Sequence, residues 1–188
     1  MKQLIPAALI LLLSLFVPQA PAQVQLNDSA KISLLTSSPW YGAVYAYFGH
    51  TAIHVQDDST GVNAVFNYGY FDSSQPNFIY RFVRGETDYI LGVTTYEDFL
   101  WEYGYKGQEV VVQELNLSPE KKQQLYEALS LNALPENREY RYNFFYDNCA
   151  TRPRNMVEKY TNGVINYPPT PQEQTYRDLL HECVSANP

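Results

Sequence analysis

Two β-prone stretches separated by a turn leave this chain little choice of architecture. Thr51 to Gln56 (TAIHVQ) and Asn63 to Tyr68 (NAVFNY) flank the cluster Asp57-Asp58-Ser59-Thr60-Gly61. Apolar and aromatic runs on either side of Asp, Ser and Gly predict a β-hairpin, and a hairpin commits its neighbours to an antiparallel sheet. Lys31 to Thr36 reads as a strand before it, and Asp88 to Thr95 and Gln108 to Leu115 as strands after it. Val110 to Val112 is continuously apolar, which predicts a buried strand. Tyr96, Phe99, Leu100 and Tyr103 recur at helical spacing before Gly104, and Ser118-Pro119 caps and opens a helix to about Leu134. Asn77 to Val83 fits either state. A helix is expected after Cys149, to about Tyr160, with Asn162-Gly163 as its stop. Another runs from Gln172 to Cys183, beyond the rigid linker Pro168-Pro169-Thr170-Pro171. Strands first and helices later give an α+β fold, an antiparallel sheet packed against helices.

The first 22 residues read as something other than fold. Met1-Lys2 is a short basic start, Leu4 to Val17 is an apolar run, and Ala20-Pro21-Ala22 offers small residues before a cut ahead of Gln23. That is the pattern of a signal peptide, and it predicts one exported domain over residues 23–188. The formal charge of −7 becomes −8 once Lys2 is removed. A chain this acidic lacks the basic face that phosphate binding needs, so no nucleic-acid partner is expected.

The chemistry concentrates in Tyr142-Asn143-Phe144-Phe145-Tyr146-Asp147-Asn148-Cys149-Ala150-Thr151-Arg152. An aromatic, strand-like run delivers one cysteine to a turn where a helix is predicted to begin. Free amide N–H groups, the helix dipole, and Arg152 and Arg154 would favour a thiolate at Cys149. Pro153 argues for a distorted first turn, or for a regular helix starting nearer Thr151. His50 and His54 share one face of the hairpin's first strand, but roughly 13 Å of strand rise separates them, so only one can serve Cys149. His50, following Gly49, is the candidate base. His54 is expected to face solvent or to support from behind, and His181 to lie on the surface. An imidazole base needs a third group to fix its tautomer. Asn67, on the paired strand, is the first choice, with Tyr68, Asp147 and Asn148 as alternatives. Tyr68, Asn148 and Arg152 are the candidate substrate-binding residues. No pair of histidines has zinc-ligand spacing with a third ligand nearby, so neither metal nor cofactor is expected. Export would permit a Cys149–Cys183 disulfide, which would remove the nucleophile.

Taken together, Leu34-Leu35-Thr36, Phe48-Gly49-His50-Thr51-Ala52-Ile53, Phe66-Asn67-Tyr68-Gly69 and the Cys149 motif resemble the Lnb N-terminal periplasmic domain family. The order of His before Cys also resembles the permuted papain-like group of the NlpC peptidases and lecithin:retinol acyltransferase. The resemblance implies a papain-like core with Cys149 at a helix N-terminus as nucleophile and His50 as base. It implies transfer of a fatty acyl chain, through a Cys149 thioester, from the diacylglyceryl group of a lipoprotein to an amine. A lipoprotein or phospholipid substrate, peripheral membrane contact and a periplasmic location at the outer face of the inner membrane follow from it. The alternatives are a periplasmic Cys-His hydrolase of peptides, amides or esters, and a catalytically silent accessory or binding domain. An apolar groove beside Cys149 would favour the acyltransferase, and a narrow polar cleft the hydrolase.

Overall fold

The computed structural model describes residues 24–162, 165–167, 169 and 174–185. The signal peptide read over 1–22, Gly163 of the stop signal, and Pro168, Thr170 and Pro171 of the linker lie outside the described residues. The hairpin forms as its sequence dictates. Strands β1 (Lys31–Ser37), β2 (His50–Asp57), β3 (Val62–Tyr70), β4 (Asp88–Thr94), β5 (Val110–Glu114) and β6 (Glu139–Arg141) make one antiparallel sheet of order β5-β1-β2-β3-β4-β6. Helices α1 (Phe78–Val83), α2 (Tyr96–Tyr105), α3 (Pro119–Asn132), α4 (Thr151–Thr161) and α5 (Tyr176–Ser185) join it, giving the expected α+β architecture.

Strand periodicity sorts the side chains into two layers. Ile53 and Val55 of β2, with Phe66 and Tyr68 of β3, share one core with Leu125 and Leu129 of α3, and Val157 and Tyr160 of α4 pack against it. The alternate residues Ala52 and Val65, with Leu35 of β1, pack on Phe99 and Tyr103 of α2. Phe99 is fully buried and anchors α2 to the sheet. Truncating it to alanine would cost about 3–5 kcal/mol. That second layer matters for chemistry, because His50 and His54 point into it.

The helix signals are realised with one shift. The Thr95 hydroxyl oxygen accepts the Asp98 N–H (3.1 Å) at the start of α2, and Ser118 accepts the Lys121 N–H (3.4 Å) at the start of α3, with Pro119 in the first turn. Gly104, the expected stop of α2, lies inside the helix. The stop is Gly107, whose φ of 70° is the left-handed geometry glycine tolerates. Asn162, with φ 51°, ends α4 as expected.

Three expectations are corrected. β5 is not buried: it is an edge strand paired only with β1, and Val111 and Val112 are 64 % and 48 % exposed. The run Tyr142 to Tyr146 is not strand. β6 ends at Arg141, and Asn143 and Asp147 close a tight turn through mutual backbone bonds of 2.8 and 3.0 Å. Cys149 precedes the helix rather than sitting in its first turn: α4 begins at Thr151, the later start for which Pro153 argued. Asn148 Oδ1 accepts the N–H groups of Ala150 (2.9 Å) and Thr151 (3.0 Å), which holds the chain in a turn until then. Pro153 falls in the first turn of the helix, where its missing N–H has no intrahelical partner to lose. No helix among the described residues is long and apolar enough to cross a membrane.

Candidate active site

The β2–β3 ladder runs from Asp57 opposite Val62 to Ile53 opposite Phe66 and stops there. His50 is therefore paired only on its other side, with Ser37 of β1. Carried forward, the register places Gly69 opposite His50. On the far side of β3, the pairing with β4 is irregular between Asn67 and Tyr70, a bulge of the kind that re-aims side chains. Here it folds the Asn67 side chain back on its own strand. Asn67 Oδ1 accepts the Gly69 N–H at 2.8 Å and meets His50 Nε2 at 2.7 Å.

Those two contacts fix the protonation pattern. An atom that accepts a backbone N–H must be the amide oxygen, so the orientation of Asn67 is settled by Gly69. His50 Nε2 must then carry the proton, and Nδ1 keeps the lone pair of a base. The ring stacks on Tyr103 of α2, with centroids 5.7 Å apart and 14° between planes. Burial lowers the His50 pKa to about 4, the Asn67 hydrogen bond and nearby Glu102 only partly offsetting it. The imidazole is neutral at pH 7.

Cys149 faces the start of β2. Burial pushes its thiol up from the ordinary value, while hydrogen bonding from the backbone of Thr51 and of Cys149 itself acts in the opposite sense. The low-pKa thiolate expected from sequence is corrected on two counts. The thiol lies before the helix rather than within its first turn. Arg152, the expected positive neighbour, is committed elsewhere, donating Nε and an Nη to the Asp147 carboxylate at 2.6 and 2.8 Å and lying 3.8 Å over the Tyr140 ring. The resting pair is neutral thiol and neutral imidazole.

Gly49, between the 3₁₀ turn Val44–Ala46 and β2, has a φ of 72°, and a Cβ there would lie 2.6 Å from the Ser37 carbonyl oxygen. Having no side chain, this glycine lets the β1 backbone approach closely beside His50. Two cavities meet at the thiol. One, of about 240 Å³, is the more polar of the two, its lining mixing His50, Asn67, Glu102 and Lys106 with rings such as Tyr103 and Phe71. The other, of about 250 Å³, is an apolar groove between Phe48, the turn residues Phe144 and Phe145, and Tyr176, Leu179 and Cys183 of α5. Cys149, His50 and Gly49 line both.

Of the residues singled out in the sequence, Cys149, His50 and Asn67 come together around the polar cavity, and Asn148 joins Cys149 in the groove. Tyr68 and Arg152 do not. Tyr68 points into the opposite layer, 1 % exposed, its hydroxyl donating to Asn132 Oδ1 at 2.8 Å, and both residues line a separate cavity with Asn155 and Lys159. Neither lies beside Cys149: Tyr68 is one residue from Asn67 and so faces the other way, and Arg152 is drawn to the Asp147 carboxylate. His54 shares the face of His50 as expected, but it is buried rather than solvent-facing. It stacks on Tyr96 at 4.5 Å and meets Asn63 Oδ1 at 3.0 Å. Cys149 and Cys183 are free thiols.

Sequence reasoning missed Tyr103, Gly69 and the groove face of α5. Tyr176, Leu179, Leu180 and Cys183 recur at i, i+3, i+4 and i+7, a signal that was present in the chain. Tyr103 carried no such mark, since its helical spacing is explained by packing alone.

Neither among curated proteins nor among solved structures is there a significant match to the chain. The model of one family, the Lnb N-terminal periplasmic domain, matches residues 18–182 and so takes in both the histidine hairpin and the Cys149 turn. The chain belongs to the Lnb N-terminal periplasmic domain family.

Proposed function

We propose that this periplasmic chain is a thiol-dependent acyltransferase that carries a fatty acyl group on Cys149 from a lipoprotein diacylglyceryl group to an amine. The observation that carries this reading is the apolar groove opening directly on Cys149 and His50, walled by Phe48, Phe144, Phe145 and Leu179. An acyl chain in such a groove leaves its carbonyl at the sulfur. The core is read as papain-like, with the histidine strand placed before the cysteine in the chain.

With both partners neutral, activation accompanies attack. His50 Nδ1 takes the Cys149 proton as sulfur adds to the ester carbonyl, and the backbone N–H groups of Thr51 and Cys149, which already act on the thiol, would stabilise the developing oxyanion. Collapse of the tetrahedral adduct breaks the ester C–O bond. The imidazolium returns its proton to the leaving alkoxide, and the thioester remains. The amine then adds to the thioester, its proton passes to His50, and the C–S bond breaks as the thiol is restored. Asn67 holds the ring in the required tautomer throughout. The polar cavity on the other side of the thiol favours a second reading, hydrolysis, because water reaching the thioester there gives free acid.

Intact-protein mass after incubation with a diacylated lipopeptide separates these outcomes. The transferase gives an acyl adduct on the wild type that passes to the peptide amine and is absent from Cys149→Ser and His50→Ala. Free fatty acid without N-acyl peptide makes it a hydrolase. No adduct and no released acid leaves a non-catalytic domain.

A further inference from the structure

We propose that the mouth of the apolar groove is a docking surface for a neutral lipid bilayer, an inference that rests on the acyl-transfer reading of the same site. Four rings that line the groove, with Tyr146 set against two of them, form a continuous ladder from three separate segments. Phe48 meets Phe144 at 4.9 Å, Phe144 meets Phe145 at 5.0 Å, Phe145 meets Tyr176 at 4.7 Å, and Tyr176 meets Tyr146 at 6.0 Å. All five remain exposed, from 36 % at Phe144 to 67 % at Tyr146. A contiguous exposed aromatic patch marks a surface that something covers.

Chemistry selects the occupant. The rings carry no charge, and no Asp, Glu, Lys or Arg occurs from Ile32 to Gln56 or from Tyr142 to Tyr146; the charges next in the chain are Asp147 after Tyr146 and the opposite pair Arg177 and Asp178 after Tyr176. Uncharged rings with phenol hydroxyls among them suit the boundary between lipid headgroups and acyl chains, where an aromatic body is buried and a hydroxyl stays wet. The chain's formal charge of −7 opposes attraction to an anionic membrane, so association rests on apolar burial and needs no acidic lipid.

The groove supplies the reason for docking. An acyl chain crossing from a membrane to Cys149 through water would expose its methylenes at about 0.8 kcal/mol each. Setting the aromatic rim on the bilayer lets the chain pass from one apolar medium to another. The rim is the entrance for the substrate as well as the attachment.

Flotation with phosphatidylcholine vesicles tests this on three forms of the mature chain: wild type, Cys149→Ser, and the double variant Phe145→Ser with Tyr176→Ser. Wild type and Cys149→Ser are expected to float equally, at low and at high salt. The rim variant loses affinity by about tenfold or more while keeping its urea midpoint, and the wild type turns over a water-soluble short-chain ester. Hydrogen exchange on the wild type is a second measurement that needs no variant. Vesicles should protect backbone N–H groups over 45–50 and 142–149 and leave the exposed edge strand β5 unchanged. No flotation, flotation only with anionic vesicles and lost in salt, or a rim variant that floats like wild type overturns the proposal. So does a dimer that the rim substitutions dissolve in the absence of vesicle binding. Loss of ester activity in the wild type with flotation intact would instead overturn the acyl-transfer reading alone.

Discussion

Replacing Gly69 with alanine is the sharpest probe of how the hairpin positions its base. A Cβ at this position would lie 3.1 Å from Asn67 Oδ1 and 3.2 Å from His50 Nδ1, and closer still to His50 Cε1. Carbon atoms in contact settle at about 3.5–4.0 Å, so the imidazole must retreat by roughly 1 Å. Gly69 is not among the glycines held at positive φ, so alanine carries no backbone penalty and the perturbation falls on the His50 ring and its Asn67 partner. Displacing a catalytic group by that much costs about a hundredfold in rate, while the overpacking costs about 1–3 kcal/mol of stability. The assay is the single-turnover rate of thioester formation on Cys149, read by intact mass, beside ¹⁵N NMR of the His50 ring. The variant should acylate about a hundredfold more slowly and lose the signature of a proton fixed on Nε2. Gly104→Ala, where a Cβ meets nothing within 4 Å, should be as active as wild type. A folded Gly69→Ala protein that acylates within about twofold of wild type would refute the positioning argument.

The His50 pKa, lowered from 6.5 to about 4, makes stability depend on pH. Between those values the unfolded chain binds the proton that the folded ring refuses, so stability is full above pH 6.5 and falls as pH drops toward 4, by up to about 3 kcal/mol. Urea titrations at pH 7 and 4.5 should show the loss in wild type and a smaller one in His50→Gln, the remainder coming from His54, whose pKa is also lowered by burial. Cys149, with its thiol pushed up by burial, should react with iodoacetamide at pH 7 no faster than a free cysteine and accelerate steadily as pH rises above 9. A fast reaction at neutral pH would show a preformed thiolate instead. Gly49→Ala, forced into a left-handed backbone and against the Ser37 carbonyl, should lower stability by about 2 kcal/mol or more, measured by thermal unfolding. Arg152→Met, which empties the Asp147 pairing, should lower the unfolding midpoint while leaving the acylation rate of Cys149 within about threefold.

What was legible in the sequence was what the local chain decides. The Asp-Ser-Gly cluster and its flanks set the hairpin, Ser118-Pro119 set a helix start, and the parity of His50 and His54 set their shared face. Asn67 was legible as the partner of His50 because it lies on the adjoining strand. The rest depended on partners far away in the chain. Val110 to Val112 is apolar enough for a buried strand, but nothing in the tripeptide says that it pairs on one side only. Arg152 sits three residues from Cys149, yet Asp147 and Tyr140 claim its guanidinium. The acidity of Cys149 was misread for the same reason, since a helix dipole can be inferred from a motif but the burial opposing it comes from elements throughout the fold.

The hairpin turn carries a consequence for how this site tolerates insertions. Strand side chains alternate, so a slip of one residue between β2 and β3 exchanges the layers on which a whole strand presents itself. His50 lies seven residues before Asp57, about 23 Å along the strand from the turn. Asn67 lies five residues after Val62, so the turn is the ruler by which the two are brought opposite. Adding one residue among Asp58, Ser59, Thr60 and Gly61 touches no atom near the thiol. It would nonetheless move Asn67 and Gly69 out of step with His50, erasing the tautomer control as completely as removing the amide, whereas equal lengthening of the loop after β4 would leave it intact. The reading frame of the chemistry is kept at the end of the hairpin farthest from it.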